Sequence, residues 1–515
     1  MSAQVAEKPA TMARNSFWLG LESVGDALTS LSMAVVIPRA LGPAKLGHFA
    51  YVAWLAGVTK TLGGLGIPAA TLKYMAEYLG QGSPGIARGV FRVTLVAQTA
   101  IACLLVLAGL TMVSLFTEPG YGLMSSLVVI AVLPGMIAAV PSQANVAAED
   151  FSTNTRGSLF GNAIYVTVGI LTLILHWDVA GVAASLLAMR VGEFLLRFIP
   201  ALARVRGTPQ IPLPAALRRR MVLFSRDGAM LLLLNILVWD RSEILFLKYL
   251  RPDIRELAFY ATAFSITQTL LVLPAALAGP AGARLMVQYG RDAGQLPALL
   301  STALRYLGLA ALPLFFGTVA LSGPGVALVF GPRFLPVAPV LVVAVLLAIP
   351  RAFLPLFWTV LQATEDQKYL VRWTLLSALI NLSLDWLLIP RFGAIGAAAA
   401  NGVTQLFATI GIVARARGLL RLELPLRFLG RVTLCSLVMS AAVILLAAGR
   451  SPGQAVFIGV ISGVLIFLFM LRITGCLESQ DRRRLWHLHA QMPKCLQSAF
   501  CWGLWALVPV ADRKS

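Results

Sequence analysis

Charge is the scarce ingredient of this sequence. Asp, Glu, Lys and Arg make up 12% of its 515 residues, against 58% hydrophobic residues. A domain that folds in water carries roughly 25% charged residues, so this chain lacks the material to coat a water-exposed surface. Histidine is nearly missing too, with four residues and no HExxH. His487 and His489 are two apart and would not share a helix face, so no metal site is expected. The five cysteines (Cys103, Cys435, Cys476, Cys495 and Cys501) are scattered without a CxxC, which argues against a disulfide framework or a zinc site. No G-x-x-x-x-G-K-[ST] occurs, so ATP hydrolysis is not expected of this chain. Alternating strands of about ten residues are also lacking, which argues against a transmembrane β-barrel.

What is present is a series of apolar stretches of about 20 residues, broken by short charged or Pro/Gly-rich segments. That length matches a helix crossing about 30 Å of hydrocarbon. The expectation is an all-α, polytopic membrane protein with about 14 spans. Lys and Arg outnumber Asp and Glu by 42 to 22, a formal charge of +20. With no nucleic-acid motif, that excess reads as basic inner loops rather than a nucleic-acid surface. The connections "RVRGTPQIPLPAALRRR" and "RARGLLRLELPLR" and the tail "DRRR" are the most basic in the chain. With the N-terminal leader placed in the cytoplasm, all of them fall on the cytoplasmic side, as does the C-terminus. The second span continues past "GGLGIP", which predicts a bend within it near Gly66 and Pro68.

The sequence also repeats itself. "AAEDFSTNTRG" from Ala147 and "ATEDQKYLVRW" from Ala363 pair Glu149, Asp150 and Arg156 with Glu365, Asp366 and Arg372. "LGHFAYVAW" resembles "LAFYATAF", and "DVAGVAAS" resembles "GAIGAAAA", in the same order along the chain. The offsets drift only from about 211 to 216 residues, so a set of helices has been duplicated. An even number of spans per copy makes the copies parallel. The resulting organisation is a leader (1–13), an N-lobe (14–203), a basic linker (204–220), a C-lobe (221–417), two further helices (418–474) and a basic tail (475–515) with an interfacial helix. At the repeated corner an aspartate can cap the next helix, and nothing brings the acids together as a catalytic dyad.

Ionised side chains inside a span cost roughly 2.5 to 3.5 kcal/mol each on insertion scales, so each needs a reason. Lys60, Arg190, Arg241 and Arg351 are the cations at mid-depth, and a cavity built from them would neutralise an anionic head group. The plainer reading is internal pairing, of Arg190 with Glu193 and of Arg241 with Asp240 or Glu243. Glu22 and Asp26, four apart, share a helix face. They would contact sugar hydroxyls, pair with Lys60, or bind H+ or Na+ and couple a gradient to movement. Asp240 and Glu243 share the alternatives of ion and sugar contact. No other cofactor is expected. Outer connections are mostly under about fifteen residues, too short for a separate catalytic domain, so an enzyme such as a glycan ligase is the remote alternative.

"VVIPRALGPAKLGHFAYVAW", "GLGIPAATLKYMAEY", "WDRSEILFLKYL" and "PRFGAIGAAAANGV" resemble the polysaccharide transporters, which include O-antigen-type oligosaccharide flippases. That group lies in the multidrug/oligosaccharidyl-lipid/polysaccharide exporter superfamily. The resemblance covers about residues 14–474. It implies two six-helix lobes around a V-shaped cavity, plus two C-terminal helices. Rocking of the lobes would carry a polyprenyl-diphosphate-linked glycan across the bacterial cytoplasmic membrane. Implied partners are that glycan, membrane lipids, glycosyltransferases and a polysaccharide polymerase. The competing readings within the superfamily are a cation-coupled multidrug exporter and a lipid II flippase.

Overall fold

A computed structural model of the chain describes residues 8–206, 211–239, 242–364, 366–420 and 424–476. Its regular structure there is helical, and no strand occurs among the described residues. The chain divides into two compact units, Met1–Ala261 and Thr262–Ser515.

The first unit holds α1 (Lys8–Gly63), α2 (Ile67–Gly80), α3 (Pro84–Phe116), α4 (Gly122–Ile137), α5 (Ala139–Ala147) and α6 (Phe151–Ile174). It continues with α7 (Asp178–Arg206), α8 (Ala215–Trp239), α9 (Glu243–Leu250) and the first turns of α10 (Ile254–Arg291). The second unit holds the rest of α10, then α11 (Leu296–Ala320), α12 (Ser322–Phe330), α13 (Val337–Ala348) and α14 (Leu354–Ala363). It ends with α15 (Gln367–Leu420), α16 (Leu426–Ala447) and α17 (Pro452–Ile473).

Ten described helices are long and apolar enough to cross a membrane, or eleven when the bent pair of α13 and α14 counts as one span. The fourteen spans expected from the sequence do not map onto these one for one. The physical reason lies in two double-length helices. Phe17–Gly63 is a continuous apolar stretch of 47 residues, about 70 Å at helical rise and more than twice the hydrocarbon thickness. Its backbone leaves helical geometry at Gly42, where φ is 72°. α15 does the same at Gly393, with φ 53°. Each glycine takes a left-handed conformation that a side chain would strain. Each double helix is therefore two membrane-length helices joined at a corner. The second span does not continue through the bend expected within it but breaks there: α1 stops at Gly63 and α2 starts at Ile67.

Side chains on the outside of the bundle are those of a lipid-facing surface. Leu104 is 67% exposed, Phe116 76% and Leu445 77%. Several hydroxyls inside the spans donate back to a carbonyl one turn earlier in their own helix. Thr94 donates to the Val90 carbonyl at 2.9 Å, and Thr267 to Ala263 at 2.9 Å.

The duplication is visible in three dimensions. A break between α4 and α5, just after Pro134, has its counterpart between α13 and α14, where Pro350–Phe353 forms a tight 3-10 turn. Asp150 caps α6, accepting the Thr153 amide at 3.2 Å and the Ser152 hydroxyl at 2.7 Å. It also pairs with Arg204 near the end of α7. At the matching corner Asp366 accepts from Arg415 Nε at 2.6 Å, near the end of α15. Burial alone would push the Asp150 carboxyl up, but these hydrogen bonds and the guanidinium outweigh it and hold the pKa at about 2. In each unit the acid ties a corner to the end of a following helix. The arginines of the repeated phrase do something else: Arg156 lies 5.7 Å from the Trp18 ring, and Arg372 is exposed.

Candidate functional site

Unit 1 carries a seam of polar side chains where α1, α6 and α7 pack, with α4 closing one side. Its local cause is a run of small residues. α6 presents Gly157 and Gly161, four apart, a small-xxx-small pattern that allows close helix approach. A Cβ at Gly161 would lie 2.6 Å from Glu193 Cγ, and one at Gly157 would lie 2.9 Å from Arg197 Cγ. The glycines thus leave room for two charged side chains of α7 to cross toward α1.

Arg197 Nη2 reaches Glu22 Oε1 at 3.4 Å. The Thr155 hydroxyl stands 3.4 Å from the other oxygen of Glu22. One turn along α1, Asp26 accepts the Ser158 hydroxyl at 2.8 Å and the Asn162 amide at 2.7 Å. Deeper on α7, Arg190 Nη1 donates to Glu193 Oε2 at 2.9 Å, so the internal pair considered from the sequence is formed. Glu193 is 4% exposed. Lys60, half-buried on the second half of α1, has no carboxylate within ion-pair distance among the described residues. Its stem meets that of Arg190 over Gly135 of α4. A Cβ there would stand 3.5 Å from Arg190 Cδ and 3.8 Å from Lys60 Cδ and Cε. Two cations, one of them paired with Glu193, therefore converge beside a ladder of hydroxyls and amides.

At one end the seam closes on the corner already described. Arg204 Nη1 donates to Asn145 Oδ1 at 2.9 Å, and Asn145 Nδ2 donates to Asn154 Oδ1 at 3.1 Å. Glu243 lies away from the seam, fully buried at the start of α9, accepting the Tyr260 hydroxyl at 2.7 Å. Asp240 and Arg241 lie outside the described residues, so the pairing considered for them has no geometry to test it.

Unit 2 presents different chemistry. Arg351, in the turn between α13 and α14, donates to Gln405 Oε1 at 3.1 Å, and Gln405 donates onward to Asn401 at 2.7 Å. Trp373 stands at the repeat position of Gly157. Its ring stacks on Phe407 with centroids 4.7 Å apart, and Nε1 donates to the Ala408 carbonyl at 3.2 Å. Where α6 has a glycine that lets Arg197 through, α15 has an indole that fills the space. A Cβ at Gly411 would lie only 1.9 Å from that indole.

The structure brings together Glu22, Asp26, Lys60 and Arg190 in unit 1 and sets Glu243 and Arg351 elsewhere. Sequence reasoning missed Arg197, the cation that holds Glu22. The signal for it was the Gly157-x-x-x-Gly161 spacing, which marks where α7 side chains can cross α6. The interfacial helix expected after residue 475 falls outside the described residues.

A family model described as Polysaccharide biosynthesis protein matches residues 36–339, more than half of the chain. The chain belongs to this family. A second model, Lipid II flippase MurJ, matches residues 284–479. A curated relative, the probable low-salt glycan biosynthesis flippase Agl15 of Haloferax volcanii, is 24% identical over 211 residues. That match covers 40% of this chain and 45% of the relative's length. Among solved structures, the inward closed conformation of lipid II flippase MurJ superimposes with a TM-score of 0.71 at 14% identity, covering 88% of this chain and 98% of that one. An inward-facing multidrug resistance MATE transporter of the MOP superfamily gives 0.60 at 14% identity, covering 78% and 94%. A MOP superfamily transporter from Pyrococcus furiosus gives 0.54 at 14%, covering 80% and 95%. At these identities the structural likeness is one of fold. The family match and the ten membrane-length helices make this a multi-pass membrane protein of the polysaccharide biosynthesis family, with a fold shared with these transporters.

Proposed function

We propose that this polysaccharide biosynthesis protein is a flippase that carries a polyprenyl-diphosphate-linked oligosaccharide across the bacterial cytoplasmic membrane, for cell-surface or exopolysaccharide synthesis. The observation that carries the reading is the unit 1 seam. A diphosphate cannot enter hydrocarbon with its charge uncompensated. Among the described residues Lys60 supplies a cation with no carboxylate at ion-pair distance, and Arg190 lies against it. The neighbouring hydroxyls and amides are of the kind that exchange hydrogen bonds with sugar hydroxyls. A cationic drug would be repelled at the same place, which disfavours the multidrug alternative. Transport proceeds by alternating exposure of the two lobes, with both termini in the cytoplasm and with glycosyltransferases and a polymerase acting before and after. If H+ or Na+ drives the cycle, Asp26 is the carrier before Glu22. Neutral donors hold Asp26, whereas Arg197 already compensates the charge of Glu22.

Deleting the gene should abolish a surface glycan, wild type should restore it, and Lys60→Ala or Arg190→Ala at equal expression should not. Unchanged glycan with altered drug sensitivity in the deletion strain would sink the proposal. The match of residues 284–479 to the lipid II flippase model supports a second reading, a flippase of lipid II itself. Rescue of a strain depleted of its lipid II flippase would favour that reading.

A further inference from the structure

At the end of unit 1 where α2, α3, α5 and α8 meet, an apolar plug that includes Tyr74, Met75, Phe91, Val140, Leu213 and Leu217 is buried. The surface above it is strongly basic. Lys73 of α2, Arg92 of α3 and the consecutive Arg218, Arg219 and Arg220 of α8 are all exposed. Gly89 brings α3 against the segment before α8, since a Cβ there would stand 3.0 Å from Leu213 and 3.1 Å from the Ile211 carbonyl. Gly66 does the same for α2, since a Cβ there would lie 2.5 Å from the Ser225 carbonyl. The cations of three helices are thereby gathered on one corner. Two are held in place by aromatic faces. Lys73 Nζ lies 4.3 Å from the Phe224 ring centre, and the Arg220 guanidinium lies 5.4 Å from that of Tyr74. Of the arginine triplet, Arg220 meets a carboxylate, Glu77 at 3.7 Å; among the described residues none pairs with Arg218 or Arg219.

Immediately beyond the arginines, α8 turns apolar side chains outward. Val222 is 68% exposed and Leu223 41%, and Ile211 on the approach is 46% exposed. A row of cations followed within one turn by exposed aliphatic groups matches the boundary between head groups and acyl chains. We propose that this corner of unit 1 is a binding site for anionic phospholipid head groups, with the lipid phosphate on Lys73 and Arg218–Arg220 and an acyl chain along Val222 and Leu223. An inorganic phosphate would satisfy the cations but leave the aliphatic strip bare, so the site commits to a lipid. The proposal rests on the membrane-spanning fold and not on the flippase reading, so either can fail alone.

The test is native mass spectrometry of the purified full chain titrated with phosphatidylglycerol or phosphatidylcholine of the same acyl chains. Each cation at an anionic surface contributes about five-fold in binding at low salt. Wild type should therefore prefer phosphatidylglycerol, and a variant with Lys73→Gln, Arg218→Gln, Arg219→Gln and Arg220→Gln should lose at least about ten-fold in that preference. Replacing the three arginines by lysine should retain it, which separates charge from folding. Arg255→Gln, in the first turn of α10, should have no effect. Equal retention of both lipids by wild type, an equal loss in the lysine variant, or an equal loss with Arg255→Gln would each overturn the proposal. Displacement of phosphatidylglycerol by inorganic phosphate alone would do so too. If undecaprenyl diphosphate binds here in preference to phosphatidylglycerol, the occupant is the carrier and the assignment to bulk lipid is wrong.

Discussion

Replacing Asp150 should destabilise unit 1 by an amount the corner geometry sets. The carboxylate accepts the Thr153 amide at 3.2 Å, the Thr153 hydroxyl at 2.5 Å and the Ser152 hydroxyl at 2.7 Å, and it pairs with Arg204. These groups lower its pKa from an ordinary 3.8 to about 2. A displacement of that size, discounted for the partial solvation of the corner, corresponds to about 1–2 kcal/mol of stabilisation by the charged form. Asp150→Asn keeps an acceptor for the cap and loses the charge, for an expected loss of about 1–2 kcal/mol. Asp150→Ala loses both and should reach about 2–3 kcal/mol. Arg204→Gln should cost less, about 1 kcal/mol, because that pair is partly solvated. In a unit of this size, Asp150→Ala should lower the melting midpoint at pH 7 by roughly 5 °C. The sign with pH follows from the lowered pKa. The stabilisation is complete above the unfolded value near 3.8 and is lost as pH falls through about 2. The gap between wild type and Asp150→Ala should therefore narrow across that window. Melting of purified protein in one detergent from pH 7 to pH 2 reads both effects. Identical midpoints at pH 7, or a gap that persists undiminished at pH 2, would refute the account.

Other substitutions probe the interior. Gly135→Ala should be tolerated in fold and transport, because its Cβ would make ordinary contacts of 3.5 and 3.8 Å, whereas Gly135→Leu should displace Lys60 and Arg190 and abolish glycan transport at normal expression. Gly411→Ala forces a methyl to within 1.9 Å of the Trp373 indole and should destabilise unit 2 by roughly 3 kcal/mol, with Trp373→Ala in the same chain recovering part of that on a thermal melt. Tyr260→Phe would leave the buried Glu243 carboxylate without its 2.7 Å donor and should cost about 1–3 kcal/mol by the same assay.

Much of the architecture was legible along the chain. Apolar runs of membrane length revealed the spans, and the repeated phrases located matching corners at Asp150 and Asp366. The corners between spans were less legible, because hydropathy registers an apolar stretch and not the glycine at which it turns. Gly42 and Gly393 end a helix through a positive φ that no side-chain property announces. The charged positions could be found from their cost in hydrocarbon, yet their partners could not. Arg190 with Glu193 is a local pair three residues apart, open to any reader of the sequence. Arg197 with Glu22 joins residues 175 positions apart, and depends on how closely α7 approaches α1 past Gly157.

The sequence by itself determined that this chain is a multi-pass membrane protein, and it marked the repeated phrases and the few charges that fall within apolar spans. Those conclusions rest on transfer free energy and periodicity, which act residue by residue. Only the tertiary structure decided which charges neutralise one another and which stand unmatched. It also separated the two copies of the repeated corner. Each places an aspartate against an arginine on a following helix, but Gly157 in one copy admits a guanidinium where Trp373 in the other fills the space with an indole. That difference arises from packing, where a single side-chain volume decides what can cross between two helices.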